Sequence, residues 1–269
     1  GCTAMELRMA MLGGLLHDLG EMYIDPRFGE SDADRSLDFQ SYQQLVVHPH
    51  VGQLLISQLT DYPKALAHAV AEHHERLDGS GYPHALKREA VSPLGRMLAV
   101  TEAALAALRL PNADMARASV ALRVVPGEFD LTWVGRIADA ARMEVPSAER
   151  PDLGEVQASM VRLDAALQAT QASAEALGQE AETDELKAAL ALALHLLGRL
   201  RTGWYASGLW SSEALAAQDA AEVVLVENEL HYRLRAIERA ALLRAGELPP
   251  ADAQRLDLFC SGLRTVTGH

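Results

Sequence analysis

Aromatic residues are scarce in this chain. Phe, Trp and Tyr make up 5% of its 269 residues. β-rich folds draw on aromatic and β-branched side chains, so this scarcity, beside an apolar content of 49% dominated by Ala and Leu, points to helices. Cysteine is scarcer still. Cys2 and Cys260 stand at opposite ends and form neither a CxxC pair nor a disulfide framework, which fits a reducing, cytoplasmic setting. Basic residues are outnumbered, with 24 Lys and Arg against 37 Asp and Glu and a formal net charge of -13. A general nucleic-acid binder needs a basic footprint and is excluded as a reading. A small anionic ligand held through a metal is not. No run of about 18 uncharged apolar residues occurs, so no membrane span is expected. No signal-peptide pattern opens the chain.

The length fits one large domain or two modest ones. Apolar periodicity predicts a helix over about 5–20, already under way at Leu7, Met11, Leu12, Leu15 and Leu16 with no cluster of capping residues before it. A segment preceding residue 1 is therefore expected. Gly20 is the expected terminator. Residues 21–38 read as loop, with an acidic cluster at Glu30, Asp32 and Asp34. Helices are expected over 39–47, 50–59 with Pro49 in its first turn, and 64–76. After Ser92-Pro93 a helix should run to about 110 and stop at Pro111-Asn112, followed by short helices over 114–124 and 131–143. Val145 to Pro151 is a candidate boundary, separating a first domain (1–145) from a helical extension (152–269). The extension carries long helical patterns at 152–178, 183–202, 212–245 and 250–265, with Leu186, Leu190, Leu194 and Leu197 at helical spacing, and reads as a bundle or packing platform.

Chemistry concentrates in the first half. Glu72-His73-His74-Glu75 runs directly into Asp78-Gly79-Ser80-Gly81-Tyr82-Pro83, a turn that cannot continue a helix. Paired imidazoles beside carboxylates suit iron, manganese or zinc. His17-Asp18, His48 and Glu102 also sit at or in helices beside apolar residues. Ionisable groups near a core are costly unless paired or metal-bound, so these four clusters together suggest a metal site. His50, His68, His84, His195, His231 and His269 lack a partner pattern and read as ordinary surface or rim residues.

The chain from about Met5 to Arg142 resembles the HD-GYP domain, the subgroup of HD-domain metal-dependent phosphohydrolases that hydrolyses cyclic di-GMP. Leu15-Leu16-His17-Asp18-Leu19-Gly20 is similar to the family's His-Asp motif, and His48-Pro49 with Gly52 to its second histidine segment. Glu72 to Pro83 resembles the name-giving segment almost letter for letter. Arg96 to Glu102 resembles the helix that carries a ligand carboxylate, and Gly127-Glu128-Phe129-Asp130 the closing segment. The resemblance implies an all-α HD-domain bundle with divalent metal ions, one or two in number, iron or manganese by family habit. It implies that Asp18, the catalytic residue, bridges. His48, His73 and His74 complete one metal; His17 and Glu102 hold the other. The ions activate the attacking water and stabilise charge on the phosphoryl oxygens. Tyr82 and Gly81 line the pocket mouth. It also implies a cyclic dinucleotide or another small phosphate as ligand, and permits an N-terminal receiver or sensor domain of the response-regulator kind.

The sequence departs from the family pattern at several positions. The lysine three residues beyond the aspartate, near the substrate phosphate, is Glu21 here. At an effective dielectric near 20, about 4 kcal/mol of pair energy at about 4 Å changes sign. The family's aspartate in the later helix is Glu102, one methylene longer. The basic residues beyond that helix are reduced to Arg109, out of register. A further ligand the family draws from an upstream helix would lie before residue 1. Two readings follow: a metal-dependent phosphodiesterase, or a catalytically degenerate regulatory module that signals through the C-terminal helices to a protein partner or a second copy. Metal-assisted chemistry on a non-nucleotide phosphate is a third.

Overall fold

The computed structural model describes residues 3–24, 46–109, 114–143, 153–206 and 220–267. The expected loop beyond residue 24, its acidic cluster and most of the 39–47 helix lie outside these residues. So do the Pro111-Asn112 stop, the 145–151 boundary, the first residues of the 212–245 helix, Cys2 and His269. Among the described residues every extended element is a helix, and the only β pairing is an isolated Asp78–Lys87 bridge. None of these helices is long and apolar enough to cross a membrane. The chain divides into two compact units, one of residues 1–122 and 127–141, the other of 123–126 and 142–269.

In the first unit, α1 (Ala4–Leu16) begins with a full capping box. The Glu6 backbone N–H donates to Thr3 Oγ1 (3.2 Å) and the Thr3 N–H donates to the Glu6 carboxylate (2.7 Å). A single threonine thus caps the helix where no capping cluster is visible in the sequence. The helix stops at Leu16, before the expected residue 20, and a 3-10 turn (Leu19–Tyr23) follows. Helix α2 (His48–Leu59) carries Pro49 at its start. Helix α3 (Lys64–Glu72) ends four residues before the expected 76, with His73 as its C-cap. Helix α4 (Pro93–Leu108) is capped by Ser92, and α5 (Met115–Arg123) and α6 (Leu131–Ala141) follow.

Two apolar clusters hold this unit. Ile56, Leu66, Ala67 and Val70 pack with Met9, Leu12, Leu16, Leu19 and Leu94, joining α1, α2, α3 and the start of α4. Val100, Ala104, Ala118, Leu122, Phe129 and Val134 join α4, α5 and α6, with Trp133 against them. Burying each large side chain is worth roughly 1.5–3 kcal/mol. Together these clusters fix the ends of α1, α2 and α3 and the middle of α4, from which the polar residues project.

Among the described residues, the second unit is a helical bundle of α7 (Leu153–Glu180), α8 (Asp184–Ala206), α9 (Ala220–Ala245) and α10 (Pro250–Thr267). Helix α7 packs on α8, α8 on α9, α9 on α10, and α10 back on α7. Leu186, Leu190 and Leu197 of the predicted stripe are fully buried, with Leu167, Leu230, Leu234, Phe259 and Leu263. Cys260 is buried and free.

Candidate metal centre

The segment after α1 carries His17 and Asp18, and Gly20 brings it against α2. A Cβ at residue 20 would lie 1.9 Å from the His48 carbonyl oxygen and 2.8 Å from the Gly52 amide. Only glycine allows this approach. Gly20 therefore acts as the docking point between Asp18 and His48 rather than as a helix terminator. His17 Nδ1 donates to the Gly14 carbonyl (2.8 Å), since a carbonyl can only accept. Its Nε2 then faces Asp18 Oδ2 at 3.0 Å and Glu102 Oε2 at 3.1 Å.

His73 is fixed in the same manner. Its Nδ1 donates to the Val70 carbonyl (2.6 Å), leaving Nε2 as an acceptor. That nitrogen lies 3.1 Å from His48 Nε2 and 3.4 Å from Asp18 Oδ1, and His48 Nε2 is 3.7 Å from the same oxygen. The His74 ring is 4.2 Å from that of His73, 5.0 Å from that of His48, and stacks on Tyr82 at 4.6 Å. His48, His73 and His74 are all buried.

Burial, then the neighbouring His73 and His48, hold His74 well below its usual pKa and so neutral, the form in which imidazole ligates. Burial alone would raise Asp18, but the adjoining His17 and His73 outweigh it and keep the carboxyl far below its usual range. For His17 burial works downward, yet Asp18 and Glu102 together lift it to about 10. Burial likewise raises Glu102, and His17 more than offsets it.

Two donor groups result: Asp18, His48, His73 and His74; and His17, Asp18 and Glu102. In each, the ligand atoms lie within 4.8 Å of one another. Asp18 belongs to both, with Oδ1 toward the histidine group and Oδ2 toward His17. The residues fit a divalent cation. Glu102 Oε1 is buried without a hydrogen bond, and ligand atoms from four chain segments converge on one another. A proton relieves one such pairing at a time; a cation relieves all of them.

The acids that adjoin the histidine pair in sequence take no part in this. Glu72 accepts hydrogen bonds from the Ser92 N–H (2.9 Å) and hydroxyl (2.5 Å), and Ser92 Oγ accepts from the Gly95 N–H (3.1 Å). This fastens the end of α3 to the start of α4, the helix that carries Glu102. Glu75 accepts from the His84 (2.7 Å) and Leu86 (2.9 Å) N–H groups and holds the turn. Burial raises the Glu75 carboxyl, partly countered by those N–H groups. The carboxylates of the centre come instead from Asp18 and Glu102, which sequence adjacency could not reveal. Arg76 is a further residue whose role sequence reasoning missed. Its Nη1 donates to the Glu75 carbonyl (3.0 Å), its Nε lies 3.5 Å from Glu128 Oε1, and its guanidinium covers the Phe129 ring at 4.8 Å. The one hint was the resemblance of residues 127–130 to a closing segment.

The residues expected on the substrate side are placed as follows. Tyr82 is half-buried over His74. Gly81 presses against the chain: a Cβ there would lie 2.4 Å from the His74 carbonyl oxygen and 2.4 Å from the Arg76 amide. Glu21 is half-buried in the 3-10 turn, its N–H bonded to the Asp18 carbonyl (2.9 Å). Arg109 caps α4 with its side chain 54% exposed and Nη1 3.7 Å from Glu102 Oε1. His50, His68, His84 and His195 are exposed.

Residues 4–126 match the family model of the HD domain. The chain is 34% identical over 97 residues to a cyclic di-GMP phosphodiesterase of Pseudomonas aeruginosa, covering 36% of this chain and 23% of that protein. It is 30% identical over 103 residues to the cyclic di-GMP phosphodiesterase response regulator of Xanthomonas campestris, covering 38% and 27%. It is 29% identical over 88 residues to a 3′3′-cGAMP-specific phosphodiesterase of Vibrio cholerae, covering 33% and 18%. The chain thus spans about a quarter or less of the length of these relatives. No solved structure matches it. Residues 4–126 are an HD domain of the HD-GYP type.

Proposed function

We propose that the HD domain hydrolyses a phosphodiester of the cyclic dinucleotide class, cyclic di-GMP first among them, in a metal-dependent reaction. One observation carries the reading: Asp18 turns one carboxylate oxygen toward each of two donor groups. The three relatives are named as phosphodiesterases of such dinucleotides, which supports the substrate class. Divalent cations held by these residues, iron or manganese by the family resemblance, would supply Lewis acidity to the phosphoryl oxygens and acidify a water. The chain's own part is positioning. Val70 and Gly14 carbonyls fix the tautomers of His73 and His17, and Tyr82 fixes the plane of His74. Asp18 and Glu102 stay ionised, and His74 stays neutral, through the neighbours given above. Tyr82 and Arg109 are the side chains on which a dinucleotide would rest, with the chain at Gly81 beside them.

A second reading is favoured by Glu21. Its charge, three residues from Asp18, opposes a phosphodiester, as a regulatory module without turnover would tolerate. In that case residues 1–145 keep the fold and a metal, and residues 152–269 carry the signal to a protein partner or a second copy. The experiment is hydrolysis of cyclic di-GMP by the full chain loaded with manganese or ferrous iron. Turnover supports the enzyme. No turnover in the native chain but turnover in Glu21→Lys, Glu102→Asp supports the regulatory module. Failure of both variants and native chain sinks the phosphodiesterase reading.

A further inference from the structure

Resting on the reading of this centre as a metal site, we infer that its two halves load unequally and that Arg109 sets the difference. The group of Asp18, His48, His73 and His74 takes the first divalent cation. The group of His17, Asp18 and Glu102 takes a second, more weakly held one, for which Arg109 competes at Glu102.

Three observations converge on this. The first group offers four donors, three of them buried imidazoles, with His73 already locked in its ligating tautomer. A closed and preorganised set of that kind binds before an open one. The second group offers three donors, and one of them, Asp18, is shared. Once a cation holds Asp18 Oδ1, the carboxylate has less charge to give through Oδ2. Lastly, Glu102 presents only Oε2 to His17. Its other oxygen, buried and without a hydrogen bond, has the Arg109 guanidinium 3.7 Å away. Arginine does not lose its charge at any ordinary pH, so a cation approaching Glu102 always meets it. The extra methylene of a glutamate gives the carboxylate reach to face both ways. With the Arg109 side chain 54% exposed, water screens the opposition to about a tenfold effect rather than a prohibitive one. Arg109 is thus a positioning residue for Glu102 and a tuner of metal occupancy.

The test is a manganese titration of the chelator-stripped full chain, followed by calorimetry for stoichiometry and affinity and by electron paramagnetic resonance for coupling between two ions. The expected result is two binding steps at least about tenfold apart, with the coupled-pair signal appearing only in the second. Arg109→Gln should tighten the second step about tenfold and leave the first unchanged, whereas Arg109→Lys should keep most of the native weakness. Glu102→Gln should remove the second step alone, and His48→Ala should remove the first. Equal affinities in the native chain overturn the inference, as does a second step that Arg109→Gln does not move. Absence of any bound ion in the native chain overturns the metal centre itself, a distinct result that takes the function proposed above with it.

Discussion

Both units bury polar side chains, but they do so in opposite ways. In the bundle the buried Thr170, Glu229 and Asp252 each find hydrogen-bond partners. Thr170 donates to the Ala166 carbonyl one turn back (2.9 Å). Glu229 pairs with Arg233 one turn on (2.7 Å). Asp252 accepts from the Thr183 N–H (2.8 Å) and hydroxyl (2.6 Å) and from Arg255 (2.7 Å), tying α8 to α10. In the HD unit, His17, Asp18, His48, His73, His74 and Glu102 arrive from four separate segments, and their ligand atoms converge. A buried polar group costs stability unless it is partnered. Partnered by donors, it holds a fold. Aimed at other acceptors, it marks a place for a cation. Glu72 and Glu75 sharpen the distinction, because they lie in the HD unit beside the histidines and yet behave like the bundle's residues, each satisfied by backbone N–H groups.

Substitutions should separate the two kinds. Asp18→Ala has the largest expected effect: metal content falls below one ion per chain and dinucleotide hydrolysis drops by roughly three orders of magnitude. Circular dichroism should still report a folded helical protein. Unfolding of the chain by this change would place Asp18 with the fold-holding residues and break the contrast. Glu75→Ala leaves two turn N–H groups without their acceptor and should cost the HD unit about 2 kcal/mol in urea unfolding. The metal affinity of the histidine group should change far less. Asp252→Ala should lower the melting temperature of the bundle by on the order of 3 °C, with metal content unaltered. A change in bound metal would contradict the local role given to Asp252. His68→Ala is the smallest. His68 shares α3 with the end that carries His73, but it faces solvent. Stability should move by less than about 0.5 kcal/mol and metal stoichiometry not at all.

Much of this protein was legible in its sequence. Helical periodicity announced α1 through α4 and the long bundle helices, because a repeat near 3.6 is a local property of the chain. Boundaries were less legible. Helix α3 stops at Glu72 because the following turn folds back, the Tyr82 N–H reaching the His74 carbonyl (3.2 Å), and no local pattern encodes that return. The metal-type residues were identifiable by kind, and the histidine pair before its Gly-rich turn fixed the family. The resemblance had already named Asp18 and Glu102 as the carboxylates; that the acids adjoining the histidine pair stay out of the centre was decided only in three dimensions. Asp18 and Glu102 lie far from them along the chain, while the adjacent Glu72 and Glu75 are drawn off by backbone N–H groups. The pairing of Arg109 with Glu102 has the same origin, since about two helical turns of α4 bring its C-cap back over an acid that the sequence leaves seven residues behind. Sequence sets the periodicity and the chemical inventory, because both reside in neighbouring residues. Tertiary packing selects the partners, because a buried carboxylate goes to whichever donors the fold brings within hydrogen-bonding distance.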